Sequence, residues 1–197
     1  ENAEAVVADL RDTEACHRAM AQTIERWGRV DILVNAAAIL RRQPYGEVSA
    51  DSIAETFDTN FRAVFWLCRA AMADMEERGW GRIVNVTSVG VHTGGWSITS
   101  AVYEASKAAV ANLTKTLARH GAARGVLVNS LAAGAMRTRM MTVDTPPEVL
   151  AAVERDIPLG RMAAPMEVAE VAAFLAGEQN TYTTGASFDV NGGLATP

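Results

Sequence analysis

The sequence is poor in the residues that mark several classes of protein. Its 197 residues include only two cysteines, Cys16 and Cys68, which excludes a disulfide framework and favours a reducing cytoplasm as the location. No apolar run approaches the roughly 18 to 20 residues that cross a bilayer, and no basic segment precedes an apolar stretch at the start. Hydrophobic residues make up 49% of the chain, which excludes intrinsic disorder.

Positive charge is also scarce and scattered. The chain has 18 basic and 23 acidic residues, a net charge of -5 and no basic block, so neither a nucleic-acid surface nor a membrane surface is expected as a partner. The three histidines lie far apart, and no group of histidine, cysteine and aspartate has metal-ligand spacing, so no metal site is expected. A small-molecule substrate is the remaining kind of partner.

Short apolar runs alternate with amphipathic stretches along the chain. This alternation predicts a single α/β domain, a doubly wound sheet of parallel strands buried on both faces. The predicted strands cover 5–8, 30–34, 83–86, 126–129 and 187–190, and the predicted helices cover about 13–27, 52–78 and 102–123, with shorter helices starting near Pro146 and Pro165. Ligands of such sheets bind at the carboxyl ends of the strands, which draws attention to Asp9, Asn35, Ser88 and the segment after Asn129.

Tyr103 and Lys107 form the strongest pattern. Four positions apart at the start of a predicted helix, they lie on one face about one turn apart. An ammonium about 5 Å from a phenol, at an effective dielectric constant near 20, favours phenolate by roughly 3 kcal/mol, or about two pKa units. Arginine fills 16 of the 18 basic positions, so a lysine here indicates chemistry that a planar guanidinium does not supply.

Ser88 stands directly after residues 83–87, the predicted strand at 83–86 together with Thr87, and so lies at its carboxyl end. A hydroxyl at the carboxyl end of a strand can hold a substrate carbonyl or alcohol beside Tyr103. Thr87 is a competing hydroxyl at the same strand end.

The chain carries an ordered set of motif residues: Asp9, Asn35 with Ala36 and Ala37, Asn60, Ser88, Tyr103 with Lys107, Gly134 with Thr138, and Gly192 with Gly193. This set resembles the motifs of the short-chain dehydrogenase/reductase family, and the resemblance covers essentially the whole chain. It implies a Rossmann-type fold, NAD or NADP as cofactor, and hydride transfer between an alcohol and a carbonyl.

The resemblance also implies a role for each site residue. It makes Tyr103 the general acid/base, with Lys107 lowering its pKa and binding the nicotinamide ribose. It makes Ser88 the residue that orients the substrate and Asn60 the anchor of a water relay. The implied cofactor contacts are Asp9 with the adenine, Asn35, Ala36 and Ala37 along the cofactor, and Thr138 with the carboxamide.

The sequence departs from the family pattern in three places. Residues 35–38 read Asn-Ala-Ala-Ala, and Ser88 lies 15 positions before Tyr103, a longer gap than is usual and one that leaves Gly90 at the usual distance. No Gly-rich phosphate loop is present. Since the strand at 5–8 would then lose its neighbours in the sheet, we expect the functional polypeptide to contain about two more βα units, of order 50 residues, upstream.

The substrate is less well defined by the sequence. The segment 39–47 resembles the corresponding segment of gluconate 5-dehydrogenase and 2-deoxygluconate 3-dehydrogenase members of the family. Arg41 and Arg42 of this segment would bind a sugar-acid carboxylate such as that of gluconate. The same pair also fits a solvated loop. Two other functions stay open, a 3-oxoacyl-carrier-protein reductase and a catalytically silent dinucleotide-binding scaffold.

The helices predicted at 52–78 and 102–123 are more apolar than one buried face requires. In the family these helices pair between subunits, so a homodimer or homotetramer is expected.

Overall fold

The computed structural model describes residues 3–95, 97–143 and 145–196. Within these residues four strands alternate with helices along the chain. The elements are α1 (Thr13–Trp27), β1 (Ile32–Asn35), α2 (Ala50–Phe57), α3 (Ala63–Arg78), β2 (Gly81–Ser88), α4 (Gly90–Thr93), α5 (Ala101–Gly121), β3 (Val126–Ala133), α6 (Arg139–Thr142), α7 (Pro147–Asp156), α8 (Pro165–Ala176) and β4 (Ser187–Val190).

The sheet has the strand order β1-β2-β3-β4, and every pair of neighbours is parallel. Helices α3 and α5 pack on one face, with α1 against α3, and α8 packs on the other face. Helices on both faces explain why β2 and β3 are buried along their length and lack an alternating polar pattern. The predicted parallel α/β architecture is confirmed.

Local signals in the sequence place the helix ends. The Asp12 side chain accepts the Glu14 N–H at 2.9 Å and so caps α1, while Gly28, at φ +80°, ends it in the left-handed region. Pro165 begins α8, where its missing N–H costs nothing. Strand β4 has the predicted bounds.

Two predicted elements are wrong as stated. Residues 5–8 form no strand: Val7 is fully exposed, and among the described residues no strand pairs with this segment, so its backbone lacks the partner that a strand requires. The helix predicted over 52–78 is interrupted by a π-helical turn at Asp58–Arg62, which separates α2 from α3. Hydrophobic periodicity cannot show such a turn because the apolar face continues through it.

Within these described segments, no helix combines the length and the apolar character that crossing a membrane requires.

Candidate active site

A cleft of about 480 Å³ opens at the carboxyl ends of β2 and β3, where the fold predicts a ligand. Ser88, Tyr103, Lys107 and Thr138 supply polar groups to its wall. Most other lining side chains are apolar, and they come from the loop after β1, from the end of β2, from the segment after β3 and from α7. They include Leu40, Val89, Met136, Met140, Met141, Val149 and Val153.

Lys107 is buried in this wall. Its side chain comes from the second turn of α5, and its Nζ donates to the Val86 carbonyl oxygen of β2 at 2.7 Å. The residue is 3% exposed, and burial lowers the pKa of Lys107 to about 8, partly opposed by the Glu104 carboxylate. The amine therefore stays mostly charged at neutral pH although it has no carboxylate hydrogen-bonded to it among the described residues.

Tyr103 corrects the prediction made from spacing. Burial raises the pKa of Tyr103 to about 12, and the Glu104 carboxylate adds to the rise. The Nζ of Lys107 lies 5.8 Å from the centroid of the Tyr103 ring and is held by Val86, so the cost of desolvation outweighs the attraction between this ammonium and a phenolate. The pKa of Tyr103 therefore rises where the four-residue spacing predicted a fall, because burying the two charges costs more than their attraction returns. At neutral pH Tyr103 is a protonated phenol, the form that donates a proton.

The pKa of Lys107 leads to a prediction about stability. Between pH 8 and the ordinary lysine value of 10.5, the unfolded chain binds more protons at this position than the folded chain. The free energy of unfolding should therefore rise with pH across this window, relative to that of Lys107→Met, by an amount on the order of 3 kcal/mol. Urea unfolding at a series of pH values measures it, and the exposed Lys115→Met is the matched control. A constant difference between wild type and Lys107→Met would contradict the buried amine.

Ser88 is the better candidate of the two hydroxyls at the end of β2. Its Oγ accepts the Gly90 N–H at 3.0 Å, which turns the chain into α4 and keeps the hydroxyl on the cleft wall. The Thr87 hydroxyl donates to the Leu131 carbonyl oxygen at 3.2 Å and is thereby engaged with β3.

Asn60 lies fully buried in the π-helical turn. Its Oδ1 accepts the Ile39 N–H at 2.8 Å, and its Nδ2 donates to the Ile39 carbonyl oxygen at 3.0 Å and to the Ser106 Oγ at 3.0 Å. The side chain thus ties the loop after β1 to α5, one residue before Lys107. Asn60 thereby helps to position α5, the helix that carries Tyr103 and Lys107. Its predicted role as the anchor of a water relay stays a prediction.

Some of the residues predicted to contact the cofactor line the cleft, and others lie outside its lining. Asn35 is buried at the end of β1 and donates to the Asn85 Oδ1 at 2.8 Å. Ala36 lines the cleft and Ala37 is exposed beside it. Thr138 lines the cleft at the start of α6. Asp9 lies outside the lining residues, and its ion pair with Arg11 at 2.6 Å lowers its pKa to about 2.

The side chains of Arg41 and Arg42 have different surroundings. Arg42 lines the cleft although it is exposed, which places it at the mouth. Arg41 points away and holds the Glu55 carboxylate through two hydrogen bonds of 3.0 and 3.1 Å. The prediction that both bind one substrate carboxylate is therefore wrong for Arg41, because its guanidinium already has an anionic partner.

Glu104 is a site residue that the sequence reasoning missed. It follows Tyr103 on α5, lines the cleft, and its carboxyl packs against Gly90 and Gly95. Its proximity to Tyr103 and Lys107 in the sequence was a visible signal, but helix periodicity gives no indication that a glutamate here turns inward.

The wall residues fit the nicotinamide end of NAD(P). The buried Lys107 amine has three donors and uses one on Val86, and the Thr138 hydroxyl makes no hydrogen bond to the residues that the structure describes. These spare donors stand beside the small side chains Ala36 and Ala38, so they suit ribose hydroxyls and a carboxamide. The donor set supports the nicotinamide cofactor that the motifs imply.

A parallel α/β sheet whose carboxyl edge carries a cleft with a part-buried tyrosine and a buried lysine is the arrangement of a nicotinamide-dependent oxidoreductase. A family model described as Enoyl-(Acyl carrier protein) reductase matches residues 1–195. The chain belongs to the short-chain dehydrogenase/reductase family and is an NAD(P)-dependent oxidoreductase.

Several relatives resemble it closely. The acetoacetyl-CoA reductase of Acinetobacter sp. (strain RA3849) is 38% identical over 189 residues, 96% of this chain and 75% of the relative. The structure of a blue fluorescent protein from a metagenomic library, in complex with NADPH, is 36% identical with a TM-score of 0.89, over 96% and 74% of the two chains. A structure described as a gluconate dehydrogenase from Agrobacterium tumefaciens is 32% identical with a TM-score of 0.90, over 98% and 77%.

Proposed function

We propose that this enzyme reduces the 3-oxo group of an acyl thioester, with Tyr103 as proton donor, Lys107 as the adjacent cation and Ser88 as the residue that holds the carbonyl oxygen. The observation that supports it is the meeting of these three side chains on one wall of a cleft whose other walls are largely apolar. Bound NAD(P)H supplies the hydride. All remaining steps belong to the protein's own residues.

Tyr103 provides the proton. Its pKa of about 12 keeps the phenol protonated at neutral pH, ready to donate to a carbonyl oxygen as that oxygen gains negative charge. Lys107, charged and one helical turn away, stabilises the phenolate that remains after transfer. The exclusion of water by the apolar walls strengthens both contributions.

The apolar walls favour an acyl chain over a polyol. Met140, Met141, Val149 and Val153 offer hydrophobic contacts to an acyl chain. The cleft also has hydroxyl side chains at its wall, from Ser97, Thr99, Ser100 and Thr145, so the preference rests on the larger apolar part of the lining. Arg42 at the mouth supplies a positive charge where the phosphates of a pantetheine-linked substrate would leave the cleft. The acetoacetyl-CoA reductase relative supports this choice.

A sugar acid is the second candidate. Arg42 alone remains able to reach a carboxylate in the cleft, and the neighbour described as a gluconate dehydrogenase supports this alternative. The Arg41–Glu55 pair weakens it, because it removes half of the predicted anion clamp. Comparing acetoacetyl-CoA reduction with D-gluconate oxidation, using NAD(H) and NADP(H) separately, decides between the two. Higher kcat/KM for gluconate would overturn the thioester proposal, and turnover of neither would overturn both.

Arg42→Ala should raise KM for acetoacetyl-CoA by roughly tenfold, because a charge-assisted contact to phosphate is lost at a partly exposed position. It should leave KM for the uncharged ethyl acetoacetate within twofold. Arg41→Ala is the matched control and should change neither value, since Glu55 holds that guanidinium away from the cleft. Equal effects of Arg42→Ala on the charged and the uncharged ketone would contradict the proposed contact.

We also propose that the enzyme self-associates as a homodimer or homotetramer through α3 and α5. The support is the part-exposed Phe65 on α3, which the single chain leaves uncovered. Sedimentation velocity measures the assembly, and a monomer at micromolar concentration would contradict it.

A further inference from the structure

Glu104 is the least expected charged group in the cleft wall, and its packing is unusually close. A methyl group built on Gly90 would lie 1.9 Å from the Glu104 Oε2 and 2.2 Å from its Cδ, and one on Gly95 would lie 2.8 Å from its Cγ. The Glu104 carboxyl therefore occupies space that a side chain at Gly90 or Gly95 would fill. We call these two glycines the cradle. Gly95 also has φ +87°, a region that favours glycine.

The carboxyl in this cradle is not satisfied by the protein. Oε2 is buried and has no hydrogen-bond partner among the described residues. An unpaired buried carboxylate oxygen is costly, so its presence beside three site residues calls for a role in the reaction. Burial raises the pKa of Glu104, while the nearby Ser88 hydroxyl and the Lys107 ammonium lower it.

Gly90 brings Ser88 close to the Glu104 carboxyl, because its N–H donates to the Ser88 Oγ while its Cα faces that carboxyl. Among the described residues Ser88 and Glu104 are near each other without a hydrogen bond between them. The Ser88 Oγ already accepts the Gly90 N–H at 3.0 Å, so the direction of its single hydrogen decides what it can do for a substrate oxygen. If the hydrogen points to Glu104, the hydroxyl can only accept from the substrate. If it points into the cleft, the hydroxyl can donate to a carbonyl.

We propose that Glu104 is a positioning residue whose carboxyl, seated on Gly90 and Gly95, sets the direction of the Ser88 hydroxyl. This inference rests on the proposed function. An ionised Glu104 draws the hydrogen of Ser88 to itself. A protonated Glu104 donates to the Ser88 Oγ and turns that hydrogen towards the substrate carbonyl, so carbonyl reduction is faster when Glu104 is neutral.

The other titratable groups near Glu104 do not replace it in this role. Tyr103 and Lys107 stand on the same helix and keep their protons at neutral pH. From α4, His92 is paired with Asp189 of β4 at 3.0 Å.

The first test concerns geometry and needs no substrate. Gly90→Ala should lower Tm by several degrees, because its methyl group meets the Glu104 carboxyl in a packed wall. The same substitution in a Glu104→Ala background should cost at most a degree, since the three atoms nearest to that methyl group all belong to Glu104. If Gly90→Ala lowers Tm equally in the wild type and in Glu104→Ala, the proposed packing of Glu104 against the cradle is wrong.

The second test concerns the reaction. Glu104→Gln keeps the shape of the side chain and can donate to Ser88 at every pH. At pH values below the Lys107 pKa of about 8, kcat of the wild type for acetoacetyl-CoA reduction should fall roughly tenfold or more as rising pH ionises Glu104. Glu104→Gln should lack this decline, retain the Tm of the wild type within about two degrees, and keep its KM within twofold. Glu170→Gln, on the exposed side of α8, is the charge-matched control and should reproduce the wild-type profile.

An active Glu104→Gln enzyme with the wild-type pH profile would overturn the proposed role of Glu104 and leave the proposed function standing. A wild type without activity on any ketone would instead overturn the proposed function, and with it the role of Glu104 in the reaction.

Discussion

Replacing Tyr103 by phenylalanine will lower kcat for carbonyl reduction by roughly 10²–10⁴-fold, the contribution of a well-placed general acid. The substitution removes only the phenolic oxygen, so the ring keeps its place in the part-buried first turn of α5 and cofactor affinity should stay within a few-fold. Steady-state kinetics and fluorescence titration with NADPH and NADH measure the two quantities.

The chain provides a matched control for this substitution. Tyr182 is fully exposed, and Tyr182→Phe should leave both kcat and cofactor affinity unchanged. A Tyr103→Phe enzyme with kcat within tenfold of the wild type would remove Tyr103 from the role of proton donor.

Lys107→Arg will have the second largest effect. The Lys107 amine fits a buried site of one hydrogen bond to Val86, and a guanidinium at this position is longer, planar and unable to lose its proton. We expect kcat to fall by about 10²-fold and Tm to fall by several degrees, because the larger group overpacks the wall and moves the charge away from Tyr103.

Lys115→Arg tests whether the effect depends on position. Lys115 is the other lysine of the chain and is exposed on the same helix, so its replacement should change neither kcat nor Tm. Equal behaviour of the two arginine variants would mean that Lys107 is an ordinary basic residue.

The sequence predicted well what depends on local signals. The predicted bounds of α1, about 13–27, agree with the structure, in which Asp12 and Gly28 cap the helix. The apolar runs also identify the buried strands β2 and β3, because helices cover these parallel strands on both faces. The motif spacing also brought Ser88, Tyr103, Lys107 and Thr138 to one cleft, since the fold collects the carboxyl ends of its strands.

The sequence did not predict the features that depend on tertiary contacts. The strand expected at 5–8 has no neighbour to pair with, and the π-helical turn around Asn60 accompanies side-chain bonds to Ile39 and Ser106 that no local pattern shows. The direction of the Tyr103 pKa depends on burial, and the orientation of Arg41 depends on a glutamate 14 residues away.

The most direct test of the account follows a label through the reaction. Acetoacetyl-CoA is incubated with the enzyme and with NADPH or NADH that carries deuterium on the transferable position of the nicotinamide ring, and the product is analysed by mass spectrometry. We expect the wild type to form a 3-hydroxyacyl product that carries one deuterium, and Tyr103→Phe to form roughly 10²-fold less of it, or less still, in the same short incubation. An unlabelled alcohol, or an equal yield of labelled product from Tyr103→Phe in that time, would contradict the assignment of this cleft as the site of reduction.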